Sequence, residues 1–86
     1  MASYKLLIKP SAAKEIESAT KKDRLRIIKR IQDLSSDPRP PGCEKLSGQD
    51  DKYRVRQGTY RIVYSVSDVS LVICVVKVGH RKEVYR

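Results

Sequence analysis

Three hydrophobic rhythms follow one another along the chain, and each predicts a different element. Residues 3 to 9 set Tyr4, Leu6 and Ile8 against Lys5, Leu7 and Lys9, the alternation of a half-buried strand that Pro10-Ser11 ends. Ser11 is placed to cap a helix running through Ala12, Ala13, Ile16 and Ala19. Thr20, with Asp23 three residues on, resembles a capping box opening a second helix. There Leu25, Ile28, Ile31 and Leu34 recur at helical spacing and Ile27 widens the stripe, while Arg24, Lys29 and Arg30 read as a solvated face. Ser35-Ser36-Asp37-Pro38 stops that helix, and Pro38, Pro40, Pro41 and Gly42 form a connecting loop without regular structure of its own.

Beyond the loop the rhythm becomes that of a hairpin. Tyr53-Arg54-Val55-Arg56 and Tyr60-Arg61-Ile62-Val63-Tyr64 flank Gly58-Thr59, and Gly in the first central position suits a two-residue loop. Such a loop pairs Gln57 with Tyr60, Arg56 with Arg61 and Val55 with Ile62, whereas a three-residue loop sends Arg61 opposite Val55. In the two-residue register Arg54, Arg56 and Arg61 share one face, and Tyr53, Val55, Ile62 and Tyr64 share the core face. A second turn at Ser67-Asp68-Val69-Ser70 leads into an apolar strand over 71 to 78. The predicted fold is α+β, a single small domain over 1–86 ordered β-α-α-β-β-β, its antiparallel sheet carrying two helices on one face. The other face is left open, and it holds the arginines.

Composition sharpens the picture. The formal charge of +9 favours nucleic acid, an anionic surface or an acidic protein partner. The longest apolar run, Leu71 to Val76, is far short of the roughly 20 residues of a membrane-spanning helix. The N-terminus shows no secretory pattern, so the expected location is the cytoplasm, where Cys43 and Cys74 stay free thiols. His80 is the only histidine and the cysteines stand alone, so neither a metal site nor a cofactor is expected. From Lys52 to Arg61 and from Lys77 to Arg86 the only acidic residue is Glu83, which leaves any reaction to Arg, Tyr, Lys and His80.

That set suits cleavage of RNA by its own 2′-hydroxyl, which needs positive charge on the phosphate, a proton acceptor and a group acting on the leaving oxygen. Tyrosine is a poor base at its usual pKa of about 10, but clustered cations stabilise phenolate. Tyr85, beside Arg81 and Arg86, is the candidate, whereas Tyr53, Tyr60 and Tyr64 read as core or cross-strand packing. His80 caps or orients a strand end in the plainer reading, and the hairpin arginines form an ordinary exposed strand face.

Pro10-Ser11-Ala12-Ala13-Lys14, Lys45-Leu46-Ser47-Gly48, the arginine hairpin and Val78-Gly79-His80-Arg81-Lys82-Glu83-Val84-Tyr85 together span nearly the whole chain. In these segments the sequence resembles the RelE-type toxins of toxin–antitoxin pairs, within the RelE/ParE superfamily. The resemblance implies an mRNA endonuclease acting without metal in the ribosomal A site, leaving a cyclic phosphate or 3′-phosphate and a 5′-hydroxyl. It also implies an acidic, RelB-like antitoxin that silences the toxin. By matched position it assigns Tyr85 as general base, Arg81 to the leaving group and Arg61 to the phosphate. Arg54, Arg56, Lys52, His80 and Lys82 become phosphate or RNA contacts. Arg54 and Arg56 stand where the best-known relatives carry lysines, and arginine cannot share base duty as a perturbed lysine can. Two alternatives keep the fold: a ParE-like gyrase poison without nuclease chemistry, and a basic RNA-binding module without catalysis.

Overall fold

The computed structural model of the chain describes residues 3–48 and 51–80. Its elements are β1 (Lys5–Ile8), α1 (Pro10–Ser18), α2 (Lys21–Leu34), β2 (Glu44–Lys45), β3 (Lys52–Gln57), β4 (Tyr60–Ser67) and β5 (Val72–His80). The strands form one five-stranded sheet in the order β1-β5-β4-β3-β2, with both helices on one face, the predicted α+β layering. Two features were not foreseen. β1 pairs with β5 in parallel, Lys5 opposite Val72 through Ile8 opposite Val75. The helices explain it: α2 returns the chain to the start of β1, where the Tyr4 N–H donates to the Ser35 carbonyl at 2.9 Å. β3, β4 and β5 then follow, each antiparallel to its neighbour, and β5 lies alongside β1 in the same direction. The second feature is β2, two residues inside the stretch read as irregular, set against Tyr53 and Arg54 at the far edge.

The helix starts divide. Thr20 caps α2 as expected, its hydroxyl oxygen accepting from the Asp23 N–H at 3.2 Å. Ser11 does not cap α1; Lys9 holds that position and Pro10 opens the helix. Proline lacks an N–H, and its fixed φ suits the first helical position, so α1 begins two residues earlier than a serine cap would set it. On α2 the buried stripe is Ile27, Ile31 and Leu34, while Leu25 and Ile28 are 58% and 37% exposed. Both stripes obey helical spacing and share Ile31 and Leu34, so packing had to choose between them. β1 is less buried than its alternation promised, since Ile8 lies exposed at the sheet edge.

In β5 a bulge opposite Val63 and Tyr64 leaves Val76 without a direct partner on β4, because Val63 faces Lys77 and Tyr64 faces Val75. The extra residue shifts the two-residue phase, so Ile73, Val75 and Val78 all reach the core from a strand that a strict alternation would split. The same shift turns Lys77 outward.

Tyr64 lies at the centre, fully closed to solvent, its ring stacked on Tyr53 with centroids 6.0 Å apart. Its hydroxyl donates to the Pro38 carbonyl at 2.6 Å, tying the proline loop to the sheet. A second tie runs across the surface: Arg39 donates to both carboxylate oxygens of Asp68 at 3.2 and 2.7 Å and to the Tyr53 hydroxyl at 3.0 Å. Tyr4 completes it, donating to Asp68 at 2.7 Å. Those hydrogen bonds, from Arg39 first and Tyr4 second, hold the Asp68 carboxyl below its usual range.

Two outcomes are expected. Tyr64→Phe should cost about 1 kcal/mol or more in chemical denaturation, since it strips the Pro38 carbonyl of its donor while keeping the ring. Asp68→Asn should lower the melting temperature near neutral pH. A depressed carboxylate stabilises the fold above its unfolded pKa and loses that contribution as pH falls through its folded value. The gap between wild type and Asp68→Asn should therefore be full above about pH 5 and close as pH drops well below about 4, the ordinary aspartate value. A gap constant down to that range would show that the Asp68 charge does not hold the brace.

Candidate functional site

The register of β3 and β4 decides which side chains meet. Gln57 pairs with Tyr60, Arg56 with Arg61, Val55 with Ile62, Arg54 with Val63 and Tyr53 with Tyr64, the two-residue register expected from Gly58-Thr59. Gly58 has φ +61 and Thr59 does not share the left-handed region, the pattern of a type II′ turn. Lys52, Arg54, Arg56 and Arg61 therefore project from the face without helices. Lys77 joins them, because the β5 bulge sets it opposite Val63. Lys77 was missed as a site residue; its one signal was a single lysine interrupting an otherwise apolar strand.

This face is basic, but it is not simply open. Arg61 is 3% exposed. Directly across from it on β5 stands Gly79. Arg54 is also mostly covered and forms an ion pair with Glu44 of β2, Nη2 to Oε2 3.2 Å. Arg56 is exposed, and Lys52 is half-buried with its ammonium 3.8 Å from the Asp51 carboxylate. A small depression of about 50 Å³ at the hairpin tip is lined by Arg56, Gly58, Thr59, Tyr60 and Arg61.

The remaining sequence-derived residues separate. His80 pairs with Tyr60, whose ring packs against the core, and the two rings meet edge to face at 5.8 Å. His80 thus projects on the helix side of the sheet, opposite to Arg61, and the structure does not bring it to the arginine face. Arg81, Lys82 and Tyr85 lie outside the described residues. Tyr53, Tyr60 and Tyr64 serve packing, as expected; burial and the nearby Cys43 thiol push the Tyr64 phenol well above its ordinary value, so it stays protonated. Cys43 and Cys74 are free thiols. Among the described residues no helix is long and apolar enough to cross a membrane.

What this arrangement can do is hold a run of phosphates against a rigid sheet. Five cations, on three adjacent strands, present guanidinium and ammonium groups along one surface. Arginine forks bind phosphate oxygens in pairs, and groups already fixed by burial lose little freedom when they do so.

Known proteins share both the fold and the sequence. The model of a family described as ParE toxin of type II toxin-antitoxin system, parDE, matches residues 6–85. A putative RelE-like toxin protein of Escherichia coli is 32% identical over 81 residues, which cover 92% of this chain and 84% of that one. The archaeal RelE-RelB complex from Pyrococcus horikoshii contains a chain with TM-score 0.83 and 31% identity, covering 92% of this chain and 96% of that one. The isolated E. coli RelE toxin gives TM-score 0.80 and 32% identity, covering 96% and 92%. With its helix-backed sheet and near-complete match to the family, the chain belongs to the ParE toxin family of type II toxin–antitoxin systems, within the RelE/ParE superfamily.

Proposed function

We propose that the chain is a RelE-like toxin that cleaves messenger RNA on the ribosome in the cytoplasm, without a metal, and that an acidic RelB-like antitoxin silences it. The observation that carries the nuclease reading is the basic sheet face, where the buried Arg61 shares one surface with Arg54, Arg56, Lys52 and Lys77. Phosphoryl chemistry gains from charge preorganised by burial in this way. The relatives point the same way, since similar chains are RelE toxins and one is held in a RelE-RelB complex.

In the proposed reaction the 2′-hydroxyl attacks the adjacent phosphorus and the bond from phosphorus to the 5′-oxygen breaks. Tyr85, as the phenolate, takes the hydroxyl proton, Arg61 stabilises charge on the phosphate, and Arg81 gives a proton to the departing 5′-oxygen. The products are a 2′,3′-cyclic phosphate and a 5′-hydroxyl. Arg54, Arg56 and Lys52 hold flanking phosphates, and Lys82 adds charge next to Arg81. His80, lying on the other face, contributes less. An acidic antitoxin answers the same charge, because +9 left exposed in a dormant complex would invite nonspecific RNA binding.

Primer extension on a translated message, with and without the protein, tests this directly. Cleavage should map to the ribosomal A site, and Arg61→Ala or Arg81→Ala should reduce it by about 10²-fold or more while ribosome binding survives better. Tyr85→Phe should lower cleavage by about 10²- to 10⁴-fold without affecting folding, and His80→Ala should do less. The reverse ranking would move the base role to His80. If both variants stay fully toxic while messages remain intact and DNA supercoiling is blocked, the nuclease reading is wrong and the gyrase alternative replaces it. Chelators should leave cleavage intact, apart from effects on ribosome integrity.

A further inference from the structure

The cations of the sheet face are not equally available to a ligand. Arg56 and Lys77 are exposed and form no ion pair among the described residues. Lys52 lies 3.8 Å from the carboxylate of its chain neighbour Asp51, a local contact. Arg54 is held from another strand. Glu44 of β2 is its direct cross-strand partner, so both side chains leave the sheet on the same side, and Arg54 Nη2 donates to Glu44 Oε2 at 3.2 Å. Arg54 in turn shares a row with Val63 and Lys77, one step from the row that sets Arg56 beside Arg61. The Glu44 carboxylate therefore takes up a guanidinium nitrogen on the same surface as the other cations, where a phosphate oxygen would bind.

We propose that Glu44 is an internal competitor of RNA phosphate for Arg54: in the free chain its carboxylate fills that position, and a bound RNA backbone displaces it. The inference rests on the RNA reading of this face and adds a residue that sets how tightly the face holds its substrate. Three features select exchange over a permanent brace. The contact is single, one nitrogen to one oxygen, whereas a phosphate engages a guanidinium fork through two oxygens. The Glu44 side chain is 53% exposed against 17% for Arg54, so the carboxylate can swing into water while the guanidinium stays on the sheet. An ion pair with so exposed a partner contributes little, and breaking it costs little. β2, which carries Glu44, is also only two residues long and closes the edge of the sheet, so its release disturbs no other strand pairing. RNA then lands first on Arg56 and Lys77, which have no carboxylate to give up, and gains Arg54 only as Glu44 leaves. The competitor lowers affinity for any stray polyanion that reaches the face, and it refills the fork when the product departs.

Fluorescence anisotropy on the purified full chain tests it, with a labelled 2′-O-methyl RNA of about ten nucleotides that offers phosphates but no nucleophile. Glu44→Gln should tighten binding by about two- to fivefold, the factor that an exposed ion pair of ordinary strength corresponds to. Glu17→Gln is the control, since it removes the same charge from an exposed position on α1 and should change binding less. In an Arg54→Gln background the gain from Glu44→Gln should shrink to that of the control, because nothing is left to compete for. Thermal melts establish that the variants fold, and Glu44→Ala, with the same expected gain, replaces Glu44→Gln if the latter does not. Weaker binding in Glu44→Gln would make Glu44 a brace that positions Arg54 and overturns the proposal. A gain that persists undiminished without Arg54 also overturns it, since Glu44 would then act only through the general field of the surface. A wild-type chain that binds no RNA sinks the RNA reading and the proposal together, whereas RNA binding that Glu44→Gln leaves unchanged sinks the proposal alone.

Discussion

Everything on the functional side of this molecule depends on the pairing register of β3 and β4. The Gly58-Thr59 turn sets Arg56 opposite Arg61 and Val55 opposite Ile62, and the two-residue period then sorts the whole hairpin. One residue of slip would send Arg61 toward the helices and Ile62 into water. Two independent terms guard against it. The turn itself needs a positive φ at one position, which Gly58 supplies at +61. Burial supplies the other, because Val55, Ile62 and Tyr64 are all fully closed to solvent on the helix side and each would be lost in a slipped register.

With that register fixed, the like charges on the opposite face become a cost that the fold manages locally. Arg56 and Arg61 are direct cross-strand partners, a pairing that repulsion disfavours. The two side chains are not equivalent, though: Arg56 stays in solvent, where screening is strong, while Arg61 is buried against the sheet beside Gly79. Glu44 relieves the next charge along, pairing with Arg54 from the short strand β2. The face is therefore graded, from an exposed arginine at the hairpin tip to two that are largely covered, and the exposed Arg56 and Lys77 are open to an initial contact with a polyanion.

The hairpin was legible in the sequence because its turn chemistry and its alternation agree, and Thr20 was legible as a cap because hydroxyl and N–H spacing is local. Other features depended on distant partners and were not. Leu25 and Ile28 fit the helical stripe as well as Ile27 does, and only the position of α2 over the sheet decides which side is covered. The parallel pairing of β1 follows from where two helices deliver the chain, not from any residue in β1. The run Val72-Ile73-Cys74-Val75-Val76 hid a bulge, since a continuous apolar stretch carries no phase to break. His80 was read by its chemistry, without the alternation from Val78 that puts it on the helix side.

That bulge also links core and site. A regular β5 kept in phase with Ile73 and Val75 would turn Lys77 inward and leave Val78 on the outer face. By absorbing Val76 at the bulge, the strand buries Ile73, Val75 and Val78 together and sends Lys77 out beside Val63. One irregularity thus completes the apolar layer under the helices and adds a cation to the opposite surface. A substitution that regularised the strand would damage both, so packing and charge at this sheet are tied to the same backbone feature.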